Sequence, residues 1–230
     1  SYKLYKMKIF TLMATTALLF SLLSCGSNTS KKADAGIEDA SDFKWQIDQF
    51  ADLRILRYKV DDFDLLSLNQ KKLVYYLSQA AVCGRDITFD QNYKYNLLIR
   101  RTLEAIYEGY KGDRTTDDFK KFEVYLKRVW FSNGIHHHYS TDKFMPEFSS
   151  AYFTQLVENT SKDLFPKEFD AQFVEEQIFS PVAAKRVCLD SGIDLVQCSA
   201  CNFYEGVTEE EVEDFYAKMA DPNDHEPISY

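Results

Sequence analysis

The chain has 230 residues, enough for one domain or two small ones. Its 45% hydrophobic and 15% aromatic content can fill a sizeable core, whereas only 8 Gly and 5 Pro argue against a turn-rich all-β sandwich. The formal charge is −9, and removing residues 1–24, with three lysines and no acids, takes it to −12; so acidic a domain is a poor partner for nucleic acid or anionic lipid.

The first element is a leader. Lys3, Lys6 and Lys8 form a basic start, and Ile9 to Leu23 is an apolar run broken only by Thr and Ser. That run has the length of a signal-peptide core and is short for a membrane span. Leu22-Leu23-Ser24-Cys25 fits a lipobox, an aliphatic and a small residue before the Cys that receives lipid. Residues 1–25 therefore read as a lipoprotein signal peptide, Met7 as the start of translation, and Cys25 as the lipid attachment point. The expected mature protein is exported and anchored to a membrane of the cell envelope. Residues 26–42, rich in Ser, Lys, Asp and Ala, read as a flexible tether.

From Phe43 the sequence turns aromatic and aliphatic, and residues 43–230 read as a mainly α domain with a minor β component. Ile47, Phe50, Leu53 and Leu56, at three-residue steps, predict a helical face. Leu73, Tyr76, Leu77, Ala80 and Ala81 predict a second helix, with Ser67 at its start and Gly84 at its end. Ile99, Leu103, Ile106 and Tyr110 predict a third, ending near Gly109 or Gly112. Phe119, Phe122, Leu126, Val129 and Trp130 predict a fourth, with Thr116 as cap and Gly134 as stop. Further helices are expected over Ser150 to Glu158 and Phe169 to Ile178. Asp194 to Cys198 alternates weakly, as a strand would. Thr208 with Glu211 is a capping-box pair opening a last helix through Val212, Phe215 and Met219.

Two clusters invite metal or redox chemistry. His136-His137-His138 is conspicuous, but zinc needs three or four ligands converging on one point. Consecutive side chains diverge in helix and strand alike, so at most two of these can share a metal. His225-Glu226 is followed by Pro227, which breaks the helix that a His-Glu-x-x-His site needs. Cys198-Ser199-Ala200-Cys201 can be a redox pair, half a zinc site, or two unrelated thiols, and a disulfide is open to it after export. Glycine-rich phosphate loops and a Gly-x-Ser-x-Gly elbow are absent from the sequence.

Several longer segments resemble one family. They are Gln49 to Tyr58 (QFADLRILRY), Lys72 to Leu77 (KLVYYL), Gly84 to Ile87 (GRDI) running into Phe89-Asp90-Gln91-Asn92, and Tyr125 to Tyr139 (YLKRVWFSNGIHHHY) with Lys143-Phe144. Ser199-Ala200-Cys201-Asn202 and Gly206-Val207-Thr208 close the series. In this order they resemble the N-terminal part of bacterial dipeptidyl peptidase III, a two-lobed zinc peptidase that releases dipeptides from peptide N-termini. The resemblance implies a peptide substrate and a zinc held by a His-Glu-x-x-Gly-His helix and a later acidic helix. Those ligands lie in a C-terminal part missing from this chain, which then contributes no metal ligand and no catalytic residue. It also implies that His138 and Tyr139 fall at cleft-contacting positions, with Tyr139 as an aromatic wall; a packed loop aromatic is the alternative for Tyr139. Asn133 and Gly134 are expected to shape the turn. The rival expectation for the whole chain is a non-catalytic, lipid-anchored peptide-binding or remnant domain.

Overall fold

The structure is a computed structural model and describes residues 43–221 and 223. The leader, Cys25, the tether and His225-Glu226-Pro227 lie outside the described residues. The fold begins with an antiparallel hairpin, β1 (Gln46–Phe50) and β2 (Leu53–Leu56). Seven of the α-helices follow a 3-10 turn at Asp61–Leu65: α1 (Leu68–Cys83), α2 (Arg85–Asn92), α3 (Asn96–Gly109), α4 (Asp117–Ser132), α5 (Ser150–Glu158), α6 (Ala171–Phe179) and the short α7 (Leu195–Cys198). A second 3-10 turn, Lys162–Leu164, separates α5 from α6, and α8 (Glu209–Met219) completes the described order. Mainly helical with one small sheet is therefore the observed class.

Caps explain most helix starts. The Ser67 hydroxyl accepts from the Gln70 N–H, and the Gln70 side chain returns to the Ser67 N–H. Thr116, Ser149, Asp170 and Thr208 likewise accept from backbone N–H groups three residues on. The core lies between α3, α4, α5 and α6. Ile99, Leu103 and Ile106 of α3 meet Phe122, Leu126 and Val129 of α4, Leu156 of α5 and Ile178 of α6, all fully buried. Each such side chain contributes about 1.5–3 kcal/mol relative to exposure.

Two expected elements differ. Ile47 to Leu56 is a hairpin, not a helix. Phe50 pairs with Leu53 across the turn at Ala51, whose φ is 47°. The three-residue spacing mimics a helical stripe, but the pleat divides it. Phe50 and Leu53 are half-buried, whereas Ile47 and Leu56 face solvent. Lys127 reaches Asp48 at 2.8 Å and lies over the Phe50 ring at 5.4 Å, and Arg128 reaches Asp52 at 2.6 Å, so α4 holds the hairpin's inner face. Asp194 to Cys198 is a helical turn, not a strand, because the Asp194 carboxylate accepts from the Gln197 N–H at 2.9 Å and caps it. Bonds from the Gln197 and Glu209 N–H groups also hold Asp194 below the usual carboxylate range.

The α4–loop junction is the tightest point. Asn133 takes φ 52° and Gly134 φ 144°. A Cβ on Gly134 would lie 2.1 Å from Asn96 Nδ2, inside an amide that is itself fully buried. Gly134→Ala is expected to destabilise the fold by about 3 kcal/mol or more, from strained backbone and displacement of Asn96 together. Urea denaturation measures this, and a loss under about 0.5 kcal/mol, the range of neutral substitutions, would show that the close approach does not exist.

Candidate functional site

Asn96 positions the segment that follows Gly134. Its Nδ2 donates to the Phe89 carbonyl at 3.1 Å and the Asn133 carbonyl at 3.5 Å, and its Oδ1 accepts from the Ile135 N–H at 3.1 Å. Ile135 is thereby buried in the core, and the chain leaves it as a loop that returns at Lys143 and Phe144. His136 and Lys143 form an antiparallel bridge at the loop's base, and the Phe144 N–H donates to the Ile135 carbonyl at 3.1 Å.

The three histidines diverge within this loop. His136 is 2% exposed, and its Nε2–H donates to the Ala184 carbonyl at 3.1 Å. That bond leaves Nδ1 as a buried acceptor without a partner. Burial pushes the His136 imidazole down to about 4, and the Arg186 and Lys143 cations act in the same direction. His137 Nδ1 instead accepts from the Tyr139 and Ser140 N–H groups, closing its own turn. His138 packs edge-on against Phe131 at 4.8 Å between ring centres, and partial burial lowers its pKa. Tyr139 sits at the tip, 86% exposed, so it is not a packed loop aromatic. This geometry does not fit a zinc site at the histidines. Among the described residues, no group of three or more His, Cys, Asp or Glu can hold a metal ion.

An irregular strap covers the loop's base. The Arg186 N–H donates to the Thr141 carbonyl at 2.9 Å, the Ala200 and Cys201 N–H groups donate to the carbonyls of Lys185 and Arg186, and the Asn202 N–H donates to the Gln91 carbonyl. Cys188 is disulfide-bonded to Cys198, with Cα atoms 5.8 Å apart. Cys198 and Cys201 are therefore not a redox pair with each other. Cys201 keeps a free thiol, and burial pushes its pKa up, away from the reactive thiolate form.

Beneath the strap lies a cavity of about 970 Å³. Tyr93, Ile135, His136 and Lys143 line one side, and residues of α6, the strap and the segment before α8 line the others. The Tyr93 hydroxyl donates to Gln177 Oε1, and burial pushes its pKa to about 12. Lys143 Nζ donates to the Ser180 carbonyl at 2.6 Å, and burial brings its pKa down to about 8. His138 and Tyr139 do not line this cavity. The triple His flags the loop in the sequence, but the pairing of His136 with Lys143 comes from the hairpin-like return. The Cys188–Cys198 bridge has no signal in spacing at all.

No family model matches this chain, and no curated protein matches it. Among the described residues, no helix is long and apolar enough to cross a membrane.

The His136 environment makes a pH prediction. Unfolded, the imidazole binds a proton below about pH 6.5; folded, it binds one only below about 4. Stability therefore falls as pH drops from 6.5 to 4, by on the order of 3 kcal/mol in total. His136→Gln is expected to flatten this slope when urea midpoints are compared at pH 7.5, 6 and 5. The carboxylates with lowered pKa act in a more acidic window. An unchanged slope in the variant would assign the acid sensitivity elsewhere.

Proposed function

We propose that this chain is the N-terminal part of a zinc-dependent dipeptidyl peptidase of the dipeptidyl peptidase III family, exported and lipid-anchored through Cys25, and that it forms one wall of a peptide cleft. The observation that carries this reading is Tyr139. A large aromatic is held out at the tip of a loop whose base is pinned by Asn96, the His136–Lys143 bridge and Arg186. Rigid presentation of an exposed aromatic suits contact with a peptide, because little side-chain entropy is lost on binding. His138 lies one residue away, where its ring supports the loop on Phe131.

Two further observations support the reading. None of the sixteen residues of α1 is buried, although Leu73, Val74, Tyr75, Tyr76 and Leu77 are consecutive and apolar or aromatic. An unburied apolar run of this kind is surface that a larger protein covers, as a second lobe would provide. The Cys188–Cys198 bridge suits an oxidising compartment outside the cytoplasm.

The residues of this chain bind and orient on this reading; the zinc ligands and the general base would lie in the missing part. The zinc, when bound there, would supply an activated water. The reading frame that encodes this chain is expected to continue past Tyr230 into an in-frame His-Glu-x-x-Gly-His. A stop codon there would favour the rival, a non-catalytic peptide-binding or remnant domain. The 230-residue chain by itself is expected not to cleave a dipeptidyl chromogenic substrate; chelator-sensitive cleavage by it would refute the division of labour. Labelling with radioactive palmitate is expected to mark the protein in its native host and to be lost in Cys25→Ser; labelling that persists in the variant refutes the anchor.

A further inference from the structure

The cavity under the strap holds a cation that forms no ion pair among the described residues. Lys143 has three N–H donors, and the structure gives it one acceptor, the Ser180 carbonyl at 2.6 Å. Among the described residues no carboxylate lies within ion-pair distance of its Nζ; the ion pairs include Lys94 with Glu205 at 3.7 Å and Lys185 with Asp142 at 3.8 Å, but none with Lys143. The other charged groups lining the cavity have donors of their own. Glu205 faces Lys94, Glu175 accepts from the Ser150 hydroxyl, and Glu176 accepts from Gln172 Nε2 at 3.0 Å. His136 is held neutral at ordinary pH and offers no positive charge in competition.

Part of the lining beside that cation is apolar, among polar residues such as Gln177, Ser199 and Asn202. Ile135 is buried, and Phe179, Val182, Ala183 and Ala184 continue the wall. A cavity of about 970 Å³ with an apolar stretch beside polar groups has the volume of a small-molecule site. A half-buried ammonium in such a place loses hydration, and this desolvation is the cause of its lowered pKa.

We propose that this cavity binds a small organic carboxylate with an apolar body, its carboxylate on Lys143 Nζ and its body against Ile135, Phe179 and Val182. This site is separate from the Tyr139 tip and does not rest on the peptidase reading. A carboxylate of this kind can be that of an N-blocked amino acid or of a free short peptide. An incoming anion favours the charged amine, so binding takes up a proton near pH 8, and affinity falls by up to tenfold per pH unit above that.

Isothermal titration of the full chain with N-acetyl-L-phenylalanine, with the dipeptide Ala-Phe, and with N-acetyl-L-phenylalanine amide tests this. At least one of the two carboxylates is expected to bind; which one does tells the N-blocked source from the free-peptide source. The neutral amide is expected to bind at least tenfold more weakly than N-acetyl-L-phenylalanine. Lys143→Met is expected to lose at least tenfold in affinity for the carboxylate, whereas Lys143→Arg, which keeps the charge, stays within a few-fold. The pH series on the unaltered chain guards against misfolding of either variant. Absence of binding by both carboxylates at millimolar concentration, equal affinity for the amide, or affinity that is flat between pH 7 and 9.5 overturns the proposal.

Discussion

One buried amide sets the path of the chain. Asn96 commits both its donor and its acceptor to backbone: the carbonyls of Phe89 and Asn133 and the N–H of Ile135. A buried amide is tolerable only when satisfied, and here satisfaction requires three separate stretches of chain to converge. They converge only because Gly134 has no Cβ to strike Asn96 Nδ2. Everything that follows inherits this constraint. Ile135 must enter the core, His136 must face the strap, Lys143 must lie across from it, and Tyr139 must stand at the tip.

A second polar network carries the same junction from the other side. Arg100, almost fully buried, reaches Asp86 at 2.8 Å, lies near Glu104 at 3.5 Å, and stacks over the Phe89 ring at 4.6 Å. Trp130 Nε1 then donates to Glu104 at 2.8 Å. One guanidinium thus joins α2, α3 and α4, and its bond holds Asp86 below the usual carboxylate range. The strap is held by backbone hydrogen bonds to the loop, by side-chain bonds from Thr141 to the Val187 carbonyl and from Arg186 to the His138 carbonyl, and by the Lys185–Asp142 ion pair. The Cys188–Cys198 bridge also closes a span of ten residues. A short loop of that kind limits the unfolded chain by about 2–3 kcal/mol. The cavity is therefore roofed by a covalently closed strap and floored by a packed core.

Helices with both a cap and a stripe were legible in the sequence. Ser67, Thr116 and Thr208 each open the expected helix, and Ser150 to Glu158 is helical over the expected range. Short patterns misled. Ile47 to Leu56 steps by three, yet a hairpin satisfies the same spacing once Lys127 and Arg128 anchor its acids. Asp194 to Cys198 alternates, yet the Asp194 carboxylate captures the N–H groups and turns the chain. The α2 helix was hidden because its residues are largely polar and only Phe89 is buried. The histidine cluster falls in the loop whose base His136 and Lys143 bridge. What spacing cannot give is direction: which imidazole turns inward depends on Asn96, 40 residues earlier, and on Ala184, 48 residues later.

The hairpin and the histidine loop are neighbours, and that links two parts of the functional reading. The hairpin, with Trp45, Ile47 and Leu56 exposed, is tied to α4 through Asp48 and Asp52. The same α4 runs directly into the Asn133–Gly134 turn and the histidines. Asp52 is close enough for its charge to favour protonated His138. A lobe that covered the hairpin would therefore come to rest beside His138. On the peptidase reading, interface and cleft wall share one helix as their common support. A shift of α4 would then move both together, so docking of the missing part and presentation of Tyr139 would be coupled through packing rather than through any direct contact.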